Sequence, residues 1–206
     1  MNRIVQAACT VVVVVLVLVL TGVAAEVSSR IGDVGDLTRD PTAVAGVPWW
    51  TGSISRLSNL CWAAAAALNA LAAQAAPRSH RRPLLLLAAL CTMLAVDDTM
   101  LVHDAILPTH GVPEDLVLGV YAVVALVLAW WWWKTRWRPT VLFAFLGGAA
   151  ALAFSVAADV VHTLPYLLED GAKLLGIVAW CLCGAWAHAD MLAERRRDPA
   201  QSPASR

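Results

Sequence analysis

The stretch Asp97-Asp98-Thr99-Met100-Leu101-Val102-His103-Asp104 sets three carboxylates and an imidazole inside an otherwise apolar run. Ionisable groups at membrane depth are costly, so they are read first as functional. At 100° per residue on an unbroken helix, Asp97 and Asp104 share one face, Thr99 and His103 share another, and Asp98 points between them. A second stripe, Ser155, Asp159 and His162, follows helical i, i+4, i+7 spacing and falls within about 60° of arc. An Asp one turn from a His either fixes the imidazole tautomer or joins it in binding a metal through oxygen and nitrogen.

Depth counted at about 1.5 Å per residue from the basic inner end of each apolar run puts His103, Asp159, Lys173 and Arg56 in one outer layer, at roughly 31–33 Å. Asn59 lies slightly deeper, and Asp97 and Asp98 lie about 8–9 Å further in. These positions define a candidate site. His103, Asp159 and His162 are the expected ligands of zinc or another divalent ion. Such an ion keeps one position for a water whose pKa it lowers toward neutrality. Asp97 or Asp98 is the expected catalytic base. Arg56 and Lys173 are the expected binders of an anionic substrate group, with Asn59, Asp104, Ser155 and Glu169 as supporting polar residues. The chemistry expected of such a set is metal-assisted hydrolysis of a lipid or amide at the outer leaflet.

Two other readings use the same residues. Arg56 and Lys173 pair with the acids in a structural ion-pair network, as in a non-catalytic scaffold or accessory subunit of a membrane assembly. Alternatively the acids and histidines line a small proton- or cation-coupled permease. The inner halves of the apolar runs are almost wholly without polar steps, which counts against a continuous path.

In residue inventory the set resembles alkaline-ceramidase-type membrane hydrolases, which combine Ser, Asp and three His in a helical bundle. Thr99-x3-His103 echoes their Ser-x3-His element, whereas Ser155-x3-Asp159 carries Asp where that family has His, and no His-x3-His occurs. The likeness is one of residue types, and no role is carried over from it.

The elements that must position these residues follow from composition. Hydrophobic residues make up 60% of the chain and charged ones 15%, with a mean hydropathy of +0.68, whereas about a quarter of a soluble domain is charged. The expected fold is an all-α integral membrane protein, an antiparallel bundle of six transmembrane helices. Windows of about 20 apolar residues place spans near residues 4–25, 53–76, 84–106, 116–133, 141–162 and 173–192, with an outer loop over 26–50 and a basic cytoplasmic tail over 193–206. Of the 15 basic residues, 11 fall on one side of this arrangement: Arg3, three in the loop at Arg78, three in the loop at Lys134, and four in the tail. Short basic loops are retained in the cytoplasm, so both termini are expected there.

Of the 15 acidic residues, 12 lie in the outer loops or outer halves of spans. The net charge of zero therefore hides an acidic outer face and a basic inner rim, which suits anionic lipid and gives no reason to expect nucleic acid. Trp49 and Trp50 outside, and Trp130–Trp133 with Trp137 inside, read as interfacial belts. The run before Glu26 resembles a signal peptide at Val23-Ala24-Ala25. Its apolar core of about 18 residues exceeds the usual 7–15, so an uncleaved helix is expected. The five cysteines all fall in spans with no CxxC spacing, which points to buried small apolar residues. Arg outnumbers Lys by 13 to 2; with abundant Ala and Val this suggests a GC-rich bacterial genome and a plasma-membrane location. A fluorescent protein fused after Arg206 should fluoresce and a periplasm-dependent phosphatase fused there should be inactive; the reverse pattern would overturn the cytoplasmic C-terminus.

Overall fold

The computed structural model describes residues 41–135, 138–161 and 165–197. The expected span at 4–25 and most of the outer loop lie outside the described residues. Residues 1–51 and 52–206 form separate compact units. In the first, the described part holds a short helix α1 (Pro41–Ala45) and a turn carrying Trp49 edge-on to Trp50, with ring centroids 5.6 Å apart.

The second unit is helical throughout its described residues. Its elements are α2 (Ser53–Ala75), α3 (Arg78–Met100), a π-helical turn (Val102–Ile106), a single turn α4 (Leu107–Thr109), α5 (Glu114–Lys134), α6 (Pro139–Val161) and α7 (Tyr166–Arg197). Alanine, the best helix former, fills the middle of α2. The helix ends where Ala76 turns extended before Pro77, because the proline ring disfavours helical geometry in the residue it follows. Glu114 and Asp115 open α5 and Lys134 closes it, each sign complementing the helix dipole.

Among the described residues four helices are long and apolar enough to cross a membrane: Arg78–Met100, Glu114–Lys134, Pro139–Asp159 and Tyr166–Glu194. α2 has the same 23-residue length as α3 but carries Ser53, Ser55, Arg56, Ser58, Asn59, Asn69 and Gln74. It packs against both α3 and α7.

Contacts set the direction of each neighbour. Trp62 meets Asp98 while Arg81 meets the carbonyl of Ala73, so α2 and α3 form an antiparallel hairpin. Arg138 meets Asp190, Phe145 meets Trp180 and Leu152 approaches Gly176, so α6 and α7 form another. Trp62 and Lys173 share Asp98, and Asn69 donates to the Trp180 carbonyl at 3.1 Å. The two hairpins therefore meet along α2 and α7, which run in the same sense. α5 closes the ring between α3 and α6 with sparser packing.

An aromatic ladder crosses this bundle. Trp132 of α5 stands edge-on to Phe145 of α6 at 4.6 Å, Phe145 stacks on Trp180 of α7 at 5.3 Å, and Trp180 meets Trp62 of α2 at 5.8 Å. All four are fully buried, and each such pair contributes about 0.5–1.5 kcal/mol beyond burial. Trp132 is thus a core residue rather than an interfacial anchor, while Trp130 and Trp133 beside it are exposed. Only one side of a helix faces the core, and a tryptophan run does not say which.

Close approach along α7 depends on missing side chains. A Cβ on Gly148 would lie 2.4 Å from the Trp180 ring, and one on Gly184 would lie 2.8 Å from the backbone of Leu68 and Asn69. Small residues of this kind let membrane helices touch backbone to backbone. Gly184→Ala should therefore lower stability by about 1–3 kcal/mol through overpacking. Gly147→Ala, whose Cβ would meet nothing within 4 Å, should be neutral or slightly stabilising; thermal unfolding in detergent compares the two.

Candidate functional site

The third apolar run does not continue as one helix to Ile106, as its hydropathy suggests. α3 stops at Met100 and Leu101 adopts a left-handed conformation, φ 53° and ψ 43°. The chain then enters the π turn, where the Ile106 N–H reaches back to the Leu101 carbonyl at 3.1 Å. Left-handed geometry at a residue with a Cβ costs roughly 1–2 kcal/mol. The compensation lies one turn earlier: Asp97 Oδ1 accepts the His103 backbone N–H at 2.8 Å, a charge-assisted bond of about 1.5–3 kcal/mol. The face-sharing expected of an unbroken helix therefore fails beyond Leu101. His103 folds back over Asp97.

The imidazole consequently stands between two carboxylates. Its Nδ1 is 2.8 Å from Asp97 Oδ2, in ion-pair contact rather than an aligned hydrogen bond, and its Nε2 is 3.4 Å from Asp104 Oδ1. Asp97 is 2% exposed, whereas the Asp104 side chain is 50% exposed. The ring thus has a buried side and an open side. Glu114, at the start of α5, brings its carboxylate to the open side, and Tyr121 of α5 adjoins Asp97 on the buried side.

Asp98 is engaged differently. Its Oδ2 accepts the Trp62 indole N–H and meets the Lys173 ammonium, both at 2.8 Å. One carboxylate oxygen thereby ties α2, α3 and α7 together. Among the described residues two groups of side chains bring ligand atoms within 4.8 Å of one another, Asp97/Asp98/His103 and His103/Asp104/Glu114. An Asp/His cluster able to hold a metal ion is therefore present. In the first group a cation would lie beside the Lys173 ammonium, a like charge that repels it. In the second it would face the open side with Asp97 behind the ring, the arrangement in which a ligating histidine is oriented through its other nitrogen.

The other sequence candidates fall around this core. Arg56 is exposed on α2, and Asn59 is half-buried there with Oδ1 lacking a hydrogen bond. Ser155 is buried on α6, and Asp159 is half-buried one turn further along. Asp159 joins neither ligand group, although its charge acts on Glu114. Glu169 is half-buried in the first turn of α7. His162 lies outside the described residues. Sequence reasoning passed over Glu114, Tyr121, Trp62 and the fully buried Ser58 and Asn69. Trp62 carried a signal: a tryptophan amid alanines, far from either end of its helix.

A family model described as "Domain of unknown function (DUF8692)" matches residues 8–187. The chain belongs to this family. The match takes in α2 through α6 and α7 as far as Ala187, so all described site residues lie inside the DUF8692 region. No curated protein and no solved structure matches the chain.

The clamp on Asp98 gives a direct test. Asp98 is 7% and Lys173 29% exposed. Removing one partner of a buried pair costs about 3–5 kcal/mol, and the partial exposure of Lys173 sets Lys173→Met near the lower end. Adding Asp98→Asn should recover most of that loss, because the amide oxygen still accepts from Trp62. Equal stability of Lys173→Met and wild type in thermal unfolding would show that the pair does not hold the helices.

Proposed function

We propose that this DUF8692 protein is a multi-pass plasma-membrane hydrolase of a lipid or amide at the outer leaflet, in which His103, Asp104 and Glu114 would hold a divalent ion; such an ion would supply a water of lowered pKa. Residues 4–25 and α2 complete six spans in this reading, with both termini cytoplasmic. The observation that carries it is the imidazole set between a buried carboxylate and an open pair of acids. One nitrogen and two carboxylates suit zinc, which takes such donors in catalytic sites and keeps a position for water. Asp97 is then a positioning residue for His103. Asp159, half-buried on α6 and outside both ligand groups, would be the base for such a water, in place of a direct role for Asp97 or Asp98. Arg56 holds an anionic part of the substrate, while Lys173 serves first to neutralise Asp98.

A second reading, a non-catalytic scaffold or accessory subunit, draws on the Trp62–Asp98–Lys173 clamp, which is complete without any ion. Elemental mass spectrometry of protein purified without chelators separates the two. About one zinc or similar ion per chain is expected from a three-ligand site, lost in His103→Ala and Glu114→Gln and retained in Lys173→Met. Asp97→Asn should weaken metal affinity by about 10–100-fold, as loss of an orienting partner does. A metal-free wild type would sink the enzyme reading and favour the scaffold.

A further inference from the structure

Glu114 comes from α5, the least anchored of the long helices. Its only fully buried side chains are Leu128 and Trp132, both in the last third. No side chain from Glu114 to Val127 is fully buried, and Leu116, Val120, Val123 and Leu126 are exposed. A Cβ on Gly119 would meet nothing within 4 Å. At the other end, Trp132 is locked edge-on to Phe145 at 4.6 Å. Few buried contacts mark the parts of a fold that open at low free-energy cost. The partner element across the seam is itself irregular, being the left-handed Leu101 and the π turn. Polar contact across the seam is made by Tyr121 beside Asp97 and by Glu114 beside His103 and Asp104.

We infer that α5 pivots about Leu128 and Trp132, and that its outer half parts from α3 to admit an amphiphile sideways from the outer leaflet to the His103 cluster. The substrate class this implies is a lipid whose acyl chain lies along the apolar α5 seam while its phosphate, ester or amide group reaches the acids and their ion. A soluble headgroup fragment has no use for such an entrance. The inference rests on the proposed enzyme reading for the ion and the hydrolytic step, but the pivot itself rests on packing alone.

The test is pulsed electron paramagnetic resonance on the full chain in phosphatidylcholine nanodiscs. Spin labels are introduced through an unnatural amino acid, so the native cysteines stay in place. One pair joins position 60 on α2 to position 116 on outer α5, and the other joins position 71 on α2 to position 130 on inner α5; all four native side chains are exposed. The outer pair should show a distance distribution at least twice as wide as the inner pair, and it should shift with added lysophosphatidylcholine but not with soluble phosphocholine. Equal widths would overturn the pivot, and an equal response to phosphocholine would overturn lateral entry of an amphiphile. Metal content measured on the same samples separates the two ideas. A bound ion with a rigid α5 removes this inference alone, and a mobile α5 without an ion removes the enzyme reading and leaves the pivot standing.

Discussion

Two adjacent carboxylates, Asp97 and Asp98, are nearly fully buried at the end of an apolar helix, and much of the bundle is arranged around satisfying them. An ionised carboxylate without a partner in such surroundings is not tolerated. The two are compensated from opposite directions. Asp98 draws an indole N–H from α2 and an ammonium from α7, whereas Asp97 draws the chain that follows it, through the backbone and ring of His103. The second solution goes with a break in the helix, since the left-handed Leu101 and the π turn bring His103 back over Asp97. They also aim His103.

The same demand links the polar cluster to the apolar core. Trp62, which donates to Asp98, is the last member of the ladder through Trp180 and Phe145 to Trp132. Indoles serve here because one edge is a hydrogen-bond donor and the faces are apolar. Trp180 likewise donates to the Phe145 carbonyl at 3.0 Å while stacked on its ring. Glycines at 148, 176 and 184 bring α7 close enough for these contacts. α5 enters the ladder only at Trp132, so its C-terminal end is tied into the buried core while its N-terminal part has no fully buried side chain.

Much of this was legible in the chain. Helical class, four of the long apolar helices and their approximate limits follow from local hydropathy, since each depends on residues near one another in sequence. The density of charge between Asp97 and Asp104 marked the segment where the structure gathers an Asp/His cluster, because charge in an apolar run is conspicuous whatever the fold. The face assignments within that segment failed because they assumed regular helix, and the break at Leu101 has no glycine or proline to announce it. Depth counting brought His103, Asp159, Arg56 and Lys173 to one level but gave no azimuth. Lys173 turned toward Asp98, and Asp159 joined neither ligand group.

What the sequence by itself determined is therefore a helical membrane protein with a dense run of acids and one imidazole at the end of an apolar stretch. Hydropathy and the cost of burying charge act residue by residue and need no knowledge of neighbours in space. Only the tertiary structure decided which carboxylate meets which cation, that Glu114 and Tyr121 come to the cluster from α5, and that Trp62 and Trp132 belong to the core. Those pairings join positions 35 or more residues apart in several cases. They depend on how closely glycine lets α7 approach its neighbours and on how the helices rotate to satisfy buried polar groups, and neither is encoded in any local pattern.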